Sequence, residues 1–529
     1  MREPDRHRSD LLALIIIAAS VLIRMLGIAR PLLGNFGDYQ AGQAMVAKFF
    51  VENHFTTLLY PQTNVLVNGA PSLILLYYPV SSLIAAILYA IFGGSLDLWG
   101  RLQAVLFFAA SSFCLYRLVV RLKNEKIGLG SLIVFSLSPL TVIYGQSFQN
   151  EMASVFFSIW FFYNLIEFLD EGSGIAFVLS SLSLSGILVT RPNALYLLIP
   201  AFYFGIKGEK DWSWDWKRLG EVGTVTAAGL IIPMLWNVHV WRLCHISRHI
   251  YMSIFPQLAV RSTFLSPIIF GGDYYRLLFD AVAGTALTPI GITLLMIGAL
   301  SGSFKDRGNG LFMIWCLSFL GSSLLIPRKL IDHNFYLLHL LIPTSPFIAQ
   351  GFVCVMNGIS GNKQKARHSA AVFVAISFLV SMRYAVHPAF KTPRGEQNTL
   401  RVAKKLEEVT DRSKSRVIVQ GTRTFLYYAD RFGWASFSTK KGDELSDYYQ
   451  LTNWQNLSPK EKLGQDEAMK DPITYLEYLR KHEGATDFVV TEPAKFYSNA
   501  EFSNYVVRKY PLVFEEKNVA LIFRLNQKD

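Results

Sequence analysis

The sequence predicts a mainly α-helical, polytopic membrane domain followed by a C-terminal extracytoplasmic α/β domain. Of 529 residues, 51% are hydrophobic and only 17% are charged, where a soluble chain of ordinary composition carries roughly a quarter charged residues. The charge is also unevenly placed. Residues 391–529 hold 23 of the 51 Lys/Arg and 20 of the 39 Asp/Glu, about 31% charged, while residues 1–390 are about 12% charged. Apolar segments long enough for a hydrocarbon core of about 30 Å recur through the first part. Disorder, a fibrous repeat and a single soluble domain are excluded. The net +12 is no nucleic-acid signal, because most of it lies in the apolar part, where Lys and Arg report orientation. Domain boundaries follow at 1–390, with a long first outer loop at 30–97, and at 391–529.

In chain order, the apolar segments are 11–29, 72–92, 98–120, 127–145, 152–169, 174–190, 193–206, 219–240, 279–302, 309–326, 335–357 and 369–387. The first runs into Arg24, Arg30 and Pro31 without an A-x-A-like site and reads as a retained span. Basic clusters stand at Arg2/Arg6/Arg8, Arg117–Lys126, Lys207–Arg218, Lys305/Arg307 and Lys363/Lys365/Arg367. With all twelve crossing, every cluster after the first falls outside; with one early segment not crossing, all fall on the cytoplasmic side. The segment to demote is 72–92, which follows Pro71, contains Pro79 and ends in Phe92-Gly93-Gly94. About eleven spans follow, with the N-terminus inside and the C-terminal domain outside. The four cysteines (Cys114, Cys244, Cys316, Cys354) show no metal-ligand or disulfide spacing.

This topology gathers on the outer face the first loop, Gln146–Glu151, Thr190–Pro192, Trp241–Asp280 and Pro327–Asn334. Asp38 lies just after the first span, ahead of a short interfacial helix, Ala41–Val51, whose Ala44, Val46, Ala47 and Phe50 can face lipid. Glu151 lies where one span emerges and the next begins. Two carboxylates at one interface can serve as general base and as metal or nucleophile-orienting group. Equally, Asp38 can be a helix N-cap and Glu151 a first-turn acid favoured by the helix dipole. Cations share the face: Arg101, Arg191, Arg248, Arg328, Lys329 and His333, with Tyr336 beside them. An arginine fork suits phosphate bidentately, although a single interfacial Arg also snorkels for structural reasons.

These features together resemble the GT-C superfamily. They are Asp38 after the first span, the Pro-led helix ending Phe92-Gly93-Gly94-Ser95, Trp99-Gly100-Arg101-Leu102, Leu137-Ser138-Pro139…Tyr144-Gly145…Glu151, Thr190-Arg191-Pro192, and Asn334-Phe335-Tyr336-Leu337-Leu338…Pro343. More narrowly, residues 10–390 are similar to the protein O-mannosyltransferase and lipid A aminoarabinose transferase branch, which includes bacterial lipopolysaccharide-core glycosyltransferases. The resemblance implies an enzyme of the cytoplasmic (inner) membrane, a glycosyltransferase taking a sugar from a polyprenyl-phosphate donor at the periplasmic face. The acceptor would be a lipid, glycan or protein, and nucleic acid plays no part. Asp38 matches the first-loop acid taken as base, Glu151 a second acid, Arg101 a residue beside the lipid-phosphate groove, and His333 and Tyr336 the polar run before a late span. Gly69 and Ala70 stand where the aminoarabinose branch has Glu-Lys, a metal ligand and a phosphate contact. Those two roles are vacant here, so the resemblance implies no certain cofactor, and a divalent cation stays an open alternative. The competing readings are a polyprenyl-lipid transporter or flippase and a non-catalytic assembly factor of envelope polysaccharide synthesis.

The tail reads as Thr399–Val409 helix, Arg416–Gln420 strand, Phe425–Tyr428 aromatic turn, polar Lys440–Asp471, Ile473–His482 helix, Asp487–Thr491 strand, Phe502–Tyr510 helix, then strands at Val513–Phe514 and Val519–Leu525. It has no phosphate loop or nucleophile elbow, so no catalysis is expected of it; the resemblance implies that it shapes acceptor access.

Overall fold

In the computed structural model, helices dominate up to Phe390 and an eight-stranded sheet organises much of the rest. The structure describes residues 3–526 apart from 35, 207–214, 254–265, 304, 360–363, 393 and 440–470. The expected polar stretch of the tail therefore lies outside the described residues except for Asp471. Two compact units emerge. One comprises Met1–Ala29, Gly100–Trp236 and Val260–Phe390, the other Arg30–Trp99, Asn237–Ala259 and Lys391–Asp529. The division falls at 390/391 as expected, while the C-terminal segment folds together with the first loop and residues 237–259.

The first unit is helical. By length and composition, six helices among the described residues can cross a membrane: Leu96–Leu122, Glu151–Glu171, Trp216–Ile246, Arg307–Leu325, Asn334–Gly358 and Gln364–Phe390. A seventh is counted if Gly272–Ala286 and Pro289–Ser301, bent by 95°, make one span. These describe a multi-pass membrane protein, with fewer long spans than the eleven expected. Proline accounts for much of the difference, since it removes a backbone donor and clashes with the preceding turn. Pro139 divides the segment 127–145 into Glu125–Leu137 and Pro139–Tyr144, Pro192 opens a short 3₁₀ turn before Leu198–Ile206, and Pro289 begins the second half of the bent pair.

The break at Pro139 also explains a buried arginine. Carbonyls freed there need donors, since orphaned backbone groups are costly in an apolar interior. The Thr141 hydroxyl donates to the Phe135 carbonyl. Arg24, wholly buried, donates from Nη2 to Ser136 O at 2.9 Å and from Nε to Thr141 O at 3.2 Å. Its guanidinium lies 3.3 Å from the centroid of the Phe108 ring. Phe107, Phe156, Trp160 and Tyr163 form a separate aromatic column, packed ring on ring.

The second unit is built on the sheet, ordered β3-β2-β1-β5-β4-β6-β8-β7. The first loop supplies β1 (Gln62–Val67) and β2 (Ala70–Leu75), an antiparallel hairpin. Its turn is Asn68-Gly69, both with positive φ (49° and 74°), the dipeptide that two-residue hairpin turns favour. β3 (Ile250–Ser253) runs parallel to β2. The C-terminal segment supplies β4 (Arg416–Gln420), β5 (Phe432–Trp434), β6 (Asp487–Val490), β7 (Leu512–Glu516) and β8 (Ala520–Arg524). Val65 of β1 pairs in parallel with Gly433 of β5, which joins loop and tail into one sheet.

Alternation along the strands builds two cores. Leu66, Ile418, Phe488, Val490, Leu521 and Phe523 share one face, and Val65, Val417, Val419, Val489 and Ile522 share the other. The second face is covered by Leu406 from the helix Arg394–Val409 and by Met45 from the helix Gly37–Glu52. This corrects the interfacial reading of residues 41–51: Ala44, Val46, Ala47 and Phe50 are at most 1% exposed. The stretch 72–92 is not one helix but β2 followed by Val80–Phe92, whose 13 residues are too few to span.

One carboxylate ties down the far side of this unit. Burial raises the proton affinity of Glu477, but hydrogen bonds from Tyr510, Lys509, Tyr505 and Arg480 outweigh it and hold the group at about 2. A carboxylate depressed in the fold stabilises it above its unfolded pKa and ceases to do so as pH falls through the folded one. Glu477→Gln should therefore lower the thermal midpoint of the full chain in detergent at pH 7. The gap from wild type should close between about pH 4.5 and about pH 2; a constant gap across that window would show that the ionised form is not what stabilises.

Candidate functional site

In the membrane unit, three of the turns placed together by topology do converge. Glu151 opens the helix Glu151–Glu171 and is 4% exposed. Arg191 follows the last residue of Gly174–Thr190, held in extended backbone (φ −151°) ahead of Pro192, as a residue before proline must be. The two side chains form a buried ion pair. The guanidinium carbon of Arg191 also lies 4.3 Å from the centroid of the Tyr336 ring and 5.6 Å from that of Phe335. Those rings belong to the 3₁₀ turn Asn334–Leu337 that leads into the helix Leu338–Gly358. His333 stacks on Phe335, centroids 5.2 Å apart, and Tyr144 donates to Asn334.

The electrostatics of the cluster are set by burial. Lys329, on the short helix Pro327–Asp332, has its ammonium pushed below the ordinary range by burial and then by the charge of Arg191. Burial likewise lowers His333; Lys329 and Arg191 add to this, and Asp332, on the exposed side of the same turn, opposes it. Glu151 is a buried carboxylate paired with Arg191, and the half-buried Lys329 adds a second cation that feels Arg191. Such a site accepts an anion at little further desolvation cost.

Arg101 is 1% exposed and donates from Nη1 to the Gln146 carbonyl at 3.1 Å. The side-chain amide of Gln146 is wholly buried, and neither its nitrogen nor its oxygen has a hydrogen-bond partner among the described residues. Orphaned polar atoms of this kind are commonly met by a ligand or water. The side chain of Arg328 lies outside the described residues. Sequence reasoning missed His339, buried one turn beyond Tyr336, whose Nε2 lies 3.0 Å from the Ser154 hydroxyl. Its spacing from Asn334-Phe335-Tyr336 was the available signal.

Asp38 and Arg248 belong to the sheet unit. Arg248 is exposed, and its carbonyl accepts from Asn68 at 2.6 Å. Asp38 sits in the first turn of Gly37–Glu52, whose N-cap is Phe36, without a side-chain cap. It is therefore no N-cap. Its Oδ2 faces Arg423 Nε at 3.1 Å, and its Oδ1 accepts from the Thr424 amide at 3.1 Å and lies 3.3 Å from the Thr424 hydroxyl. The Asp38 side chain keeps 40% of its surface exposed. Among the described residues, no group of three or more His, Cys, Asp or Glu could hold a metal ion.

The family model described as dolichyl-phosphate-mannose-protein mannosyltransferase matches residues 77–237. No curated protein matches the sequence. Among solved structures, the chain is similar to ArnT from Cupriavidus metallidurans bound to undecaprenyl phosphate, with TM-score 0.64 and 11% identity over 97% of this chain and 98% of that one. The apo form of ArnT gives TM-score 0.61 and 11% identity, covering 97% of each chain. The archaeal oligosaccharyltransferase AglB from Archaeoglobus fulgidus, in complex with an inhibitory peptide and a dolichol-phosphate, gives TM-score 0.60 and 10% identity, covering 100% of this chain and 75% of that chain. At such identities the likeness is one of fold.

Proposed function

We propose that this chain, a GT-C superfamily member by fold resembling the ArnT and protein mannosyltransferase branch, transfers a sugar from a polyprenyl-phosphate-linked donor to an acceptor hydroxyl or amine. The observation that carries the reading is the buried Arg191–Glu151 pair with the half-buried Lys329, His333 and Tyr336 around it. It offers an anionic headgroup a prepaired arginine, a lysine and aromatic walls. The lipid-phosphate ligands of the ArnT and AglB structures support the same class of donor.

The roles follow from chemistry. As the acceptor attacks the anomeric carbon, the bond to the phosphate oxygen breaks and the polyprenyl phosphate departs with its electron pair. Arg191 and Lys329 stabilise the charge that develops on it, being already oriented and desolvated. Asp38 takes the acceptor's proton, for which its exposed face is suited. Glu151, buried and committed to Arg191, suits orienting that cation better than removing a proton. Direct displacement inverts the anomeric centre with no covalent intermediate. Activity is placed at the extracytoplasmic face of the cytoplasmic membrane, with both Asp38 and the C-terminal segment outside. The test is a panel of polyprenyl-phosphate sugars offered to the purified protein in proteoliposomes, with lipid, glycan and peptide acceptors scored by mass. One acceptor class should gain a sugar mass; no gain with any donor would overturn the proposal.

A further inference from the structure

We propose that Arg423 and Thr424 of the C-terminal segment are positioning residues for Asp38, so that this segment is part of the transfer apparatus and not only a gate for the acceptor. The inference rests on the reading of Asp38 as base. Around this carboxylate, among the described residues, the partners come from the tail: Arg423 Nε is ion-paired with Oδ2 at 3.1 Å, the Thr424 amide donates to Oδ1 at 3.1 Å and the Thr424 hydroxyl lies 3.3 Å from Oδ1. Arg423 Nε also donates to the Asp38 backbone carbonyl at 2.9 Å, so a single group spans main chain and side chain of the acid. Such a contact restrains the carboxylate's rotamer, and it is made by Nε, where a lysine carries a methylene carbon, so an ammonium does not reproduce it.

The residues around it are built to hold that geometry. The Arg423 side chain is 9% exposed against 40% for Asp38, so the donors are sheltered while the acid keeps an open face. A carboxylate has about four lone-pair directions, which leaves capacity for an acceptor's proton beside the tail's donors. One turn beyond Asp38, Gly42 lies beside the guanidinium, at a distance where an added Cβ would make ordinary contact at 3.5 Å. The short helix Arg423–Tyr428 is anchored at its other end too. Tyr427 and Tyr428 donate to the two oxygens of Asp97 at 2.7 Å each. Burial and then the Asp97 charge push the Tyr427 hydroxyl well above its ordinary range, which keeps it a donor. Lys48, further along the helix that bears Asp38, pairs with Asp430 just past the same tail helix. Two acidic residues of the first loop, Asp38 and Asp97, are thus held by opposite ends of one six-residue element.

The consequence is measurable as coupling. In proteoliposomes holding the full chain, Arg423→Gln should lower kcat by roughly 10-fold or more while the donor KM stays within about twofold, as expected when orientation of a reacting group is lost without loss of substrate binding. Arg423→Lys should restore less than half of the activity. Thr424→Val, which keeps the amide donor, should cost a few-fold and covers the case in which Arg423→Gln fails to fold. In an Asp38→Asn background, neither substitution should lower the residual rate by more than about twofold, because a residue acting through Asp38 has nothing left to orient. Equal losses in both backgrounds, or full kcat in Arg423→Gln or Thr424→Val, would overturn the inference. An Asp38→Asn protein of wild-type activity would instead sink the base assignment beneath it.

Discussion

Asp38→Asn should abolish sugar transfer, with a loss of roughly 10²–10⁴-fold in kcat, the span typical for removing a positioned general base. The isosteric amide keeps one oxygen for the Thr424 amide, and Arg423 can still donate to the backbone carbonyl of residue 38, so expression, thermal midpoint and retention of the lipid donor should stay near wild type. The anionic headgroup is assigned to the membrane unit, and Asp38 takes no part in holding it. A loss of kcat with unchanged donor KM is therefore the expected signature. Wild-type turnover in this variant would remove Asp38 from the chemistry, and a loss that tracked the amount of folded protein would make it structural.

Arg191→Ala should do something different: it should damage both fold and binding. Its partner Glu151 is 4% exposed, and breaking a buried ion pair strands a charge at a cost of about 3–5 kcal/mol. The full chain should melt markedly lower and lose affinity for polyprenyl phosphate. The double substitution Glu151→Gln with Arg191→Met separates the two effects. It removes both charges, a replacement that is often neutral or stabilising for a buried pair, so the melting temperature should recover while lipid binding stays weak. Lipid affinity returning with stability would show the pair to be purely structural. The gain or loss can be read by thermal unfolding beside a lipid-retention assay on the same preparations.

Much of this architecture is written locally in the chain. The step in charge density near residue 390 marks where the C-terminal segment begins, and most of its helices and strands lie where their periodicities place them, from Arg416–Gln420 to Ala520–Arg524. Parity of the basic clusters brings the Glu151, Arg191 and Asn334 turns to one face, and these do converge. What could not be read depends on pairings distant in sequence. Val65 meets Gly433 only because the tail returns to the first loop, and no local pattern encodes that partner. Asn68-Gly69 was a legible hairpin signal, but its apolar flanks merge with the helix that follows, so the stretch passes for a single apolar segment. Arg423 follows Gly421-Thr422 in a tail without any catalytic motif; its meaning appears only when the helix bearing Asp38 is laid against it. Hydropathy does not feel a proline: the segment 127–145, broken at Pro139, and the segment 279–302, bent at Pro289, keep their apolar character while losing unbroken length.

The reading of the chain as a transferase, against lipid movement without chemistry, comes down to one bond. Purified protein in proteoliposomes, given a polyprenyl-phosphate sugar and its acceptor, should release one polyprenyl phosphate for each sugar gained by the acceptor, followed together by mass. Donor that crosses the bilayer with its sugar–phosphate bond intact, and no acceptor gaining mass, would contradict the assignment.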